Sequence, residues 1–268
     1  APVPALPGGV EPAAFNVTET RIVNAIVDGN PADIVIDDGK IAEGGERNHA
    51  GASEKTVFDA GGRAVLPGFV DCHTHACFAG SRLDEWERKL AGASYLELME
   101  AGGGIMATVR ATRKASETEL AELLLTRLNR MLAHGSTTVE VKSGYGLDTG
   151  NELKMLRAIA RAGESFPGTV IPTACIGHAI DPDNDHDRFI RRTIDETLPA
   201  ITAEFPGIAL DAYCEKGAWS LDDCLALFDA GQAAGHPIRV HADQFNALGM
   251  IEAAVERGFA SVDHLEAT

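Results

Sequence analysis

Leu66-Pro67-Gly68-Phe69-Val70-Asp71-Cys72-His73-Thr74-His75 is the stretch on which the reading of this chain turns. An apolar run that enters through Pro-Gly and leaves on His-x-His reads as a β-strand with two histidines at its C-terminal end. Residues two apart in a strand project to the same face, so His73 and His75 can offer two imidazole nitrogens to one metal ion. Two unrelated polar residues at a strand terminus would share that spacing. The apolar strand before them favours the metal.

Downstream, the texture is of short apolar strands alternating with amphipathic helices, the pattern of βα units around a parallel sheet. Strands are expected at Val65 to Cys72, Thr137 to Val141, Val170 to Ile176, Ala209 to Cys214, Ile238 to His241 and Ala260 to Asp263. Helices are expected between them at Ser116 to His134, Asn151 to Ala162, Asp187 to Glu204, Ser220 to Ala234 and Ala247 to Arg257. Ser116 and Glu119 have the spacing of a capping box, and Gly135 supplies a stop. This spacing predicts an α/β fold, a (β/α)8 barrel occupying residues 64–268. A whole barrel takes eight strands and typically about 250 residues. Six strands are legible here, so the expectation is a barrel whose C-terminal strands are missing from this chain. Such a chain would expose sheet edges and be poorly soluble by itself.

Upstream, β-patterned runs at Arg21 to Val27, Asp33 to Asp37 and Thr56 to Asp59 are separated by the turn signals Asp28-Gly29-Asn30-Pro31 and Asp38-Gly39-Lys40. They predict a small antiparallel β subdomain over residues 15–63, preceded by a loose tail over 1–14. The tail has no basic stretch leading into an apolar one and does not read as a signal peptide. No window approaches the roughly 18 unbroken apolar residues of a spanning helix. A formal charge of -17 disfavours nucleic acid and anionic membrane surfaces as partners. The five cysteines are scattered, with no Cys-x-x-Cys pair, which suggests reduced thiols in the cytoplasm.

A third ligand comes most naturally from His241, which ends the strand Pro237-Ile238-Arg239-Val240-His241 at the face where barrel enzymes place their chemistry. The same argument nominates His178 after the third strand and His264 after the sixth. A lone histidine in such a place is more often a structural hydrogen-bonder than a ligand. Three more at equivalent strand ends are harder to dismiss.

Seven segments, VLPGFVDCHTHACFAGSR, GASYLELMEAGGGI, GSTTVEVKSGYGLD, ELKMLR, CEKG, VHADQFNALG and SVDHLEAT, resemble in that order the imidazolonepropionases of the amidohydrolase superfamily. VEVKSGYGLD together with DHLE separates this resemblance from other amidohydrolases better than His-x-His does. The resemblance implies one zinc or iron ion and hydrolytic opening of the ring of 4-imidazolone-5-propanoate to N-formimidoyl-L-glutamate, a step of histidine breakdown. It implies His73, His75 and His241 as metal ligands, with a fourth, an aspartate from an eighth strand, outside this sequence. Arg82 matches the arginine that holds the propanoate, and a planar guanidinium suits a carboxylate. Tyr95, Tyr145 and His178 match substrate-contacting positions. His264 matches the histidine that assists the water or polarises the carbonyl. Gln244 departs from members with glutamate there: an amide can orient the ring or the water but cannot act as a general base. Proton transfer then falls to the absent aspartate, to His264 or, less naturally, to Asp243, which strand alternation turns away. The expected partner is a small anionic substrate, and a homodimer is a candidate assembly.

Other readings stay open: a mononuclear deaminase of a nitrogen heterocycle, or a non-catalytic amidohydrolase-like chain. Gly102-Gly103-Gly104 lacks nucleotide-loop spacing and reads as an active-site turn. Lys216 reads as a surface or packing lysine rather than a metal-bridging one. His49, His134, His186 and His236 read as solvated or capping groups, Cys72 as a packed thiol facing away from the metal, and Arg110 and Arg113 as residues of a solvated face.

Overall fold

In this computed structural model, residues 20–37, 39–44, 56–92 and 103–268 are described. The chain divides into two compact units between Gly68 and Phe69.

The first unit is a four-stranded sheet in the order β3-β2-β1-β4, with β1 at Thr20–Val27, β2 at Asn30–Asp37, β3 at Lys40–Gly44 and β4 at Thr56–Asp59. β1 and β2 are an antiparallel hairpin in which Val27 faces Asn30. Its two turn residues, Asp28 and Gly29, both have positive φ, the conformation that two-residue hairpin turns need and that the Asp-Gly pair supplies. β4 runs parallel to β1, so the sheet is mixed, not antiparallel as expected. The pattern also missed β3, five residues behind a turn.

The second unit is a six-stranded parallel sheet in the order β10-β9-β8-β7-β6-β5. β5 is Phe69–Asp71, β6 Ser136–Lys142, β7 Thr169–Gly177, β8 Ala209–Cys214, β9 Arg239–Ala242 and β10 Ser261–His264. Sequential strands are neighbours throughout, the order of a half-barrel. β5 is shorter than the expected Val65 to Cys72. Val65 pairs instead in the first unit, its N–H bonding Ile26 O at 2.9 Å, and Pro67 has no N–H for a ladder.

Between β5 and β6 lie α1 (Leu83–Leu90), α2 (Ile105–Lys114) and α3 (Glu117–Ala133). α4 (Thr149–Ser165) follows β6, α7 (Leu221–Ala233) follows β8 and α8 (Met250–Arg257) follows β9. The single helix expected at Asp187 to Glu204 is α5 (His186–Arg192) and α6 (Leu198–Glu204), joined by a π-turn at Thr193–Thr197. Pro199 has no N–H to return to the preceding turn, and the widened turn sits just before it. Ser116 caps α3 by accepting from the Glu119 N–H, while a reciprocal capping box is present at Ser220 and Asp223 of α7.

Leu120, Leu124 and Leu128, one turn apart on α3, and Met155, Leu156 and Ile159 of α4 are fully or almost fully buried together with Trp219, Phe189 and Phe228. Each such side chain contributes about 1.5–3 kcal/mol of transfer free energy. That core holds the strands rigidly, and the C-terminal strand ends can therefore carry a site. Among the described residues, no helix is long and apolar enough to cross a membrane.

Candidate metal centre

β5 continues past Asp71 without a regular ladder, but Thr74 O accepts the Lys142 N–H at 3.0 Å, so the backbone stays extended beside β6. His73 and His75 therefore project together beyond the strand end. His241 sits inside β9 and is 3% exposed. One ligand atom from each of His73, His75 and His241 lies within 4.8 Å of the others.

Two carboxylates stand behind this trio. His241 Nδ1 is 2.9 Å from Asp211 Oδ1, and His73 Nδ1 is 2.8 Å from Asp263 Oδ2. An ionised carboxylate only accepts, so Nδ1 of each imidazole is the donor in these bonds and Nε2 is the atom left to bind a metal ion. Burial alone would push the Asp211 carboxyl up, but His241 and Lys142 outweigh it and hold it well below its ordinary range. Asp263 is lowered in the same way, burial being outweighed by the His73 bond and by Lys142.

His75 Nε2 lies 2.9 Å from His241 Nε2. Two facing ring nitrogens can share only one proton between them, and the buried Nδ1 of His75 has no hydrogen-bond partner. Burial and the imidazoles of His178 and His241 push the His75 pKa far down, so a second proton does not relieve this arrangement. A cation shared by the two Nε2 atoms would take the place of the proton between them and let His75 carry its proton on Nδ1, and three convergent imidazoles, two of them backed by carboxylates, are a donor set that suits zinc or iron. A second grouping, Cys175, Asp211 and His241, has the same spacing, but burial raises the Cys175 thiol well above its ordinary pKa and both Asp211 oxygens are engaged. The thiolate is the ligand form, so the three-histidine set fits better.

His178 stacks on His75, ring centroids 4.4 Å apart and planes within 13°. Its Nδ1–H donates to Gly144 O at 3.0 Å, and burial followed by His241 lowers its pKa to about 4. Tyr145 lies 5.1 Å from the His178 ring and 6.0 Å from that of His75; burial pushes its hydroxyl up to about 12, so it stays a donor at neutral pH. The loop carrying Tyr145 is wrapped on the buried Glu152 carboxylate, which accepts N–H bonds from Gly144, Gly146 and Leu147 at 2.9, 2.7 and 2.9 Å. Gly144 has φ +115, and a Cβ there would meet Cys175 O and His178 Cβ at 2.9 Å, so only glycine fits. His264 ends β10 with its ring 5.3 Å from those of His73 and His241.

Gln244 is half-buried in the loop after β9. The next residues of that loop are tied to Glu215, whose Oε2 accepts the Phe245 and Asn246 N–H groups at 2.9 and 3.2 Å. Asp243 is buried in a left-handed backbone conformation with Oδ1 unpartnered. Arg82 donates from Nε and Nη2 to Glu85 Oε2, at 3.0 and 2.8 Å, and its charge acts on the Tyr145 hydroxyl. Tyr95 lies outside the described residues, as do His49 and Gly102.

Lesser expectations met mixed outcomes. Lys216 is exposed. His236 is not solvated: it is buried, with Nδ1 on Ile208 O and Nε2 on Thr202 Oγ1. Cys72 is exposed rather than packed. Arg113 is no free surface cation, since it donates to Gly146 O and Asp181. Asp211, Asp263, Lys142 and Glu152 were not singled out by the sequence reading at all. The signal that could have found the first three is a charged residue inside an otherwise apolar strand, which folding tolerates only when it is paired.

The second unit is thus of the half-barrel α/β class, with imidazoles that could hold a metal ion gathered at its C-terminal strand ends. The sequence pattern of the amidohydrolase family matches residues 64–267, and the chain belongs to that family. It is 46% identical over 228 residues to an imidazolonepropionase of Herpetosiphon aurantiacus, covering 82% of this chain and 53% of that protein. It is 43% identical over 263 residues to an imidazolonepropionase of Haloarcula marismortui, covering 96% of this chain and 62% of that one. The chain thus spans little more than half the length of these relatives. In fold it is similar to 5-methylcytosine deaminase from Klebsiella pneumoniae, with TM-score 0.64 at 18% identity over 90% of this chain and 57% of that one. N-isopropylammelide isopropylaminohydrolase from Burkholderia multivorans gives TM-score 0.57 at 17% identity, covering 90% and 59%.

Proposed function

We propose that this chain carries the metal centre of a hydrolase that opens the cyclic amide of 4-imidazolone-5-propanoate to N-formimidoyl-L-glutamate. The observation that carries the reading is the convergence of His73, His75 and His241, two of them backed by carboxylates, in a chain 42–47% identical to proteins named imidazolonepropionase. A zinc or iron ion held by those imidazoles would supply Lewis acidity, lowering the pKa of water from its bulk value towards neutrality and polarising a carbonyl.

The chain's own residues do the rest. Arg82 takes the propanoate, giving up part of its pairing with Glu85. Tyr145 donates a hydrogen bond from its neutral hydroxyl, and His178, whose proton is committed to Gly144, offers Nε2 as an acceptor to a ring N–H. His264, beside both His73 and His241, stabilises negative charge developing on the carbonyl oxygen or relays a proton towards the departing ring nitrogen. Gln244 orients ring or water without exchanging a proton. Tyr95 remains a proposed contact of the carboxylate end. Five free cysteines, four of them buried, support a reducing, cytoplasmic setting.

The test is loss of the imidazolone absorbance with the metal-loaded protein, read beside ammonia release. Ring opening without ammonia is expected. Ammonia release would point to a deaminase, and inertness with metal bound would overturn the assignment.

A further inference from the structure

β6 carries two charged side chains in its buried half, Glu140 and Lys142, that the proposed reaction does not use. The Lys142 side chain has no exposed surface. An ammonium taken from water costs several kcal/mol unless it is paired, and here it donates to two carboxylates with a third at ion-pair distance. Nζ lies 2.6 Å from Asp211 Oδ2, 2.9 Å from Glu140 Oε1 and 3.6 Å from Asp263 Oδ2.

Two of these three carboxylates are the groups behind the ligand histidines. Asp211 divides its oxygens, Oδ1 for His241 and Oδ2 for Lys142. Asp263 uses Oδ2 towards both His73 and Lys142. Lys142 is therefore one carboxylate away from His241 on one side and from His73 on the other. Arg239, the neighbouring cation, comes 3.5 Å from Glu140 instead.

We infer that Lys142 is a positioning residue for the metal centre: its ammonium pins Asp211 so that His241 aims its Nε2 lone pair at the point it shares with His73 and His75. This rests on the metal reading of His73, His75 and His241. The physical reason is torsional. A carboxylate anchored through one oxygen swings about its terminal bond, whereas one anchored at both oxygens does not, and the imidazole that follows it inherits that orientation.

The test is Lys142→Met in the protein that carries this chain, which keeps the length and apolar stem and removes the charge. Zinc affinity by chelator competition and the visible spectrum of the cobalt-substituted protein are read against thermal melting. Zinc binding about 10- to 100-fold weaker, with altered cobalt bands and a fold intact at the assay temperature, is expected. Lys142→Gln, which keeps a neutral donor, should fall between the variant and its parent. Unchanged affinity and unchanged cobalt bands in Lys142→Met overturn the inference while leaving the metal reading standing. A parent protein that binds no divalent ion overturns both, and that is seen before any substitution. Variants that do not fold even at saturating zinc also overturn it, because they assign Lys142 to the fold and not to the site.

Discussion

Asp211→Asn changes one atom in the barrel interior and should disable the site. Asp211 accepts twice, from His241 Nδ1 at 2.9 Å and from Lys142 Nζ at 2.6 Å, with no side-chain exposure. An asparagine has one accepting oxygen and one donating nitrogen, so it can satisfy only one of these neighbours. If the amide nitrogen faces His241, the imidazole must accept at Nδ1 and shift its proton to Nε2, the atom wanted for the metal. If it faces Lys142, two donors meet in a buried space and the ammonium loses its shortest contact. The first outcome costs about 10- to 100-fold in metal affinity, or about 1.4–2.7 kcal/mol. The second costs about 3–5 kcal/mol of stability, the usual penalty for stranding one member of a buried ion pair. Chelator competition for zinc and urea denaturation of the metal-free protein separate the two. A variant equal to its parent in both would refute the claim that Asp211 sets the His241 tautomer.

Arg82→Ala should raise KM for the propanoate substrate at least about tenfold with a smaller effect on kcat, the size of a lost charge-assisted pair; an unchanged KM in steady-state kinetics removes Arg82 from the site. His178 is held near pKa 4 in the fold against 6.5 in a free chain, so between those values the unfolded state binds the extra proton. Stability of the metal-free protein should therefore fall as pH drops from about 6.5 to 4, by up to about 1.4 kcal/mol per unit from this group. That slope should shrink in His178→Gln, and a urea-midpoint series that is flat in both proteins counts against it. Gly177→Ala should destabilise by about 1–3 kcal/mol, because a Cβ there collides with the Ala212 side chain of the neighbouring strand and meets its Cα at 3.0 Å; denaturation at the parent midpoint would contradict this.

Much of the fold was legible because the barrel strands and helices obey local rules. Ser116, Ser220 and Gly135 mark helix ends where the structure has them, and five of the six barrel strands lie close to the apolar runs that announced them. β5 did not, because the run from Val65 to Cys72 is shared between two units and nothing local tells which residues join which sheet. The same limit applies to the parallel pairing of β4 with β1, a long-range choice. In the site, His73 and His75 are legible from spacing two apart, and His241 from its place in an apolar strand. Lys142, Asp211 and Asp263 escaped because their role exists only once β6, β8 and β10 lie side by side. Arg82 marks the opposite case: the residue type suits a carboxylate, but its pairing with Glu85 depends on how α1 begins.

X-ray absorption at the metal edge of the purified, metal-loaded protein tests the central claim most directly. One zinc or iron ion per chain, with three imidazole nitrogens at about 2.0–2.1 Å, is the expected result. A sulfur neighbour near 2.3 Å, or fewer than three imidazoles around the ion, would contradict a centre built from His73, His75 and His241.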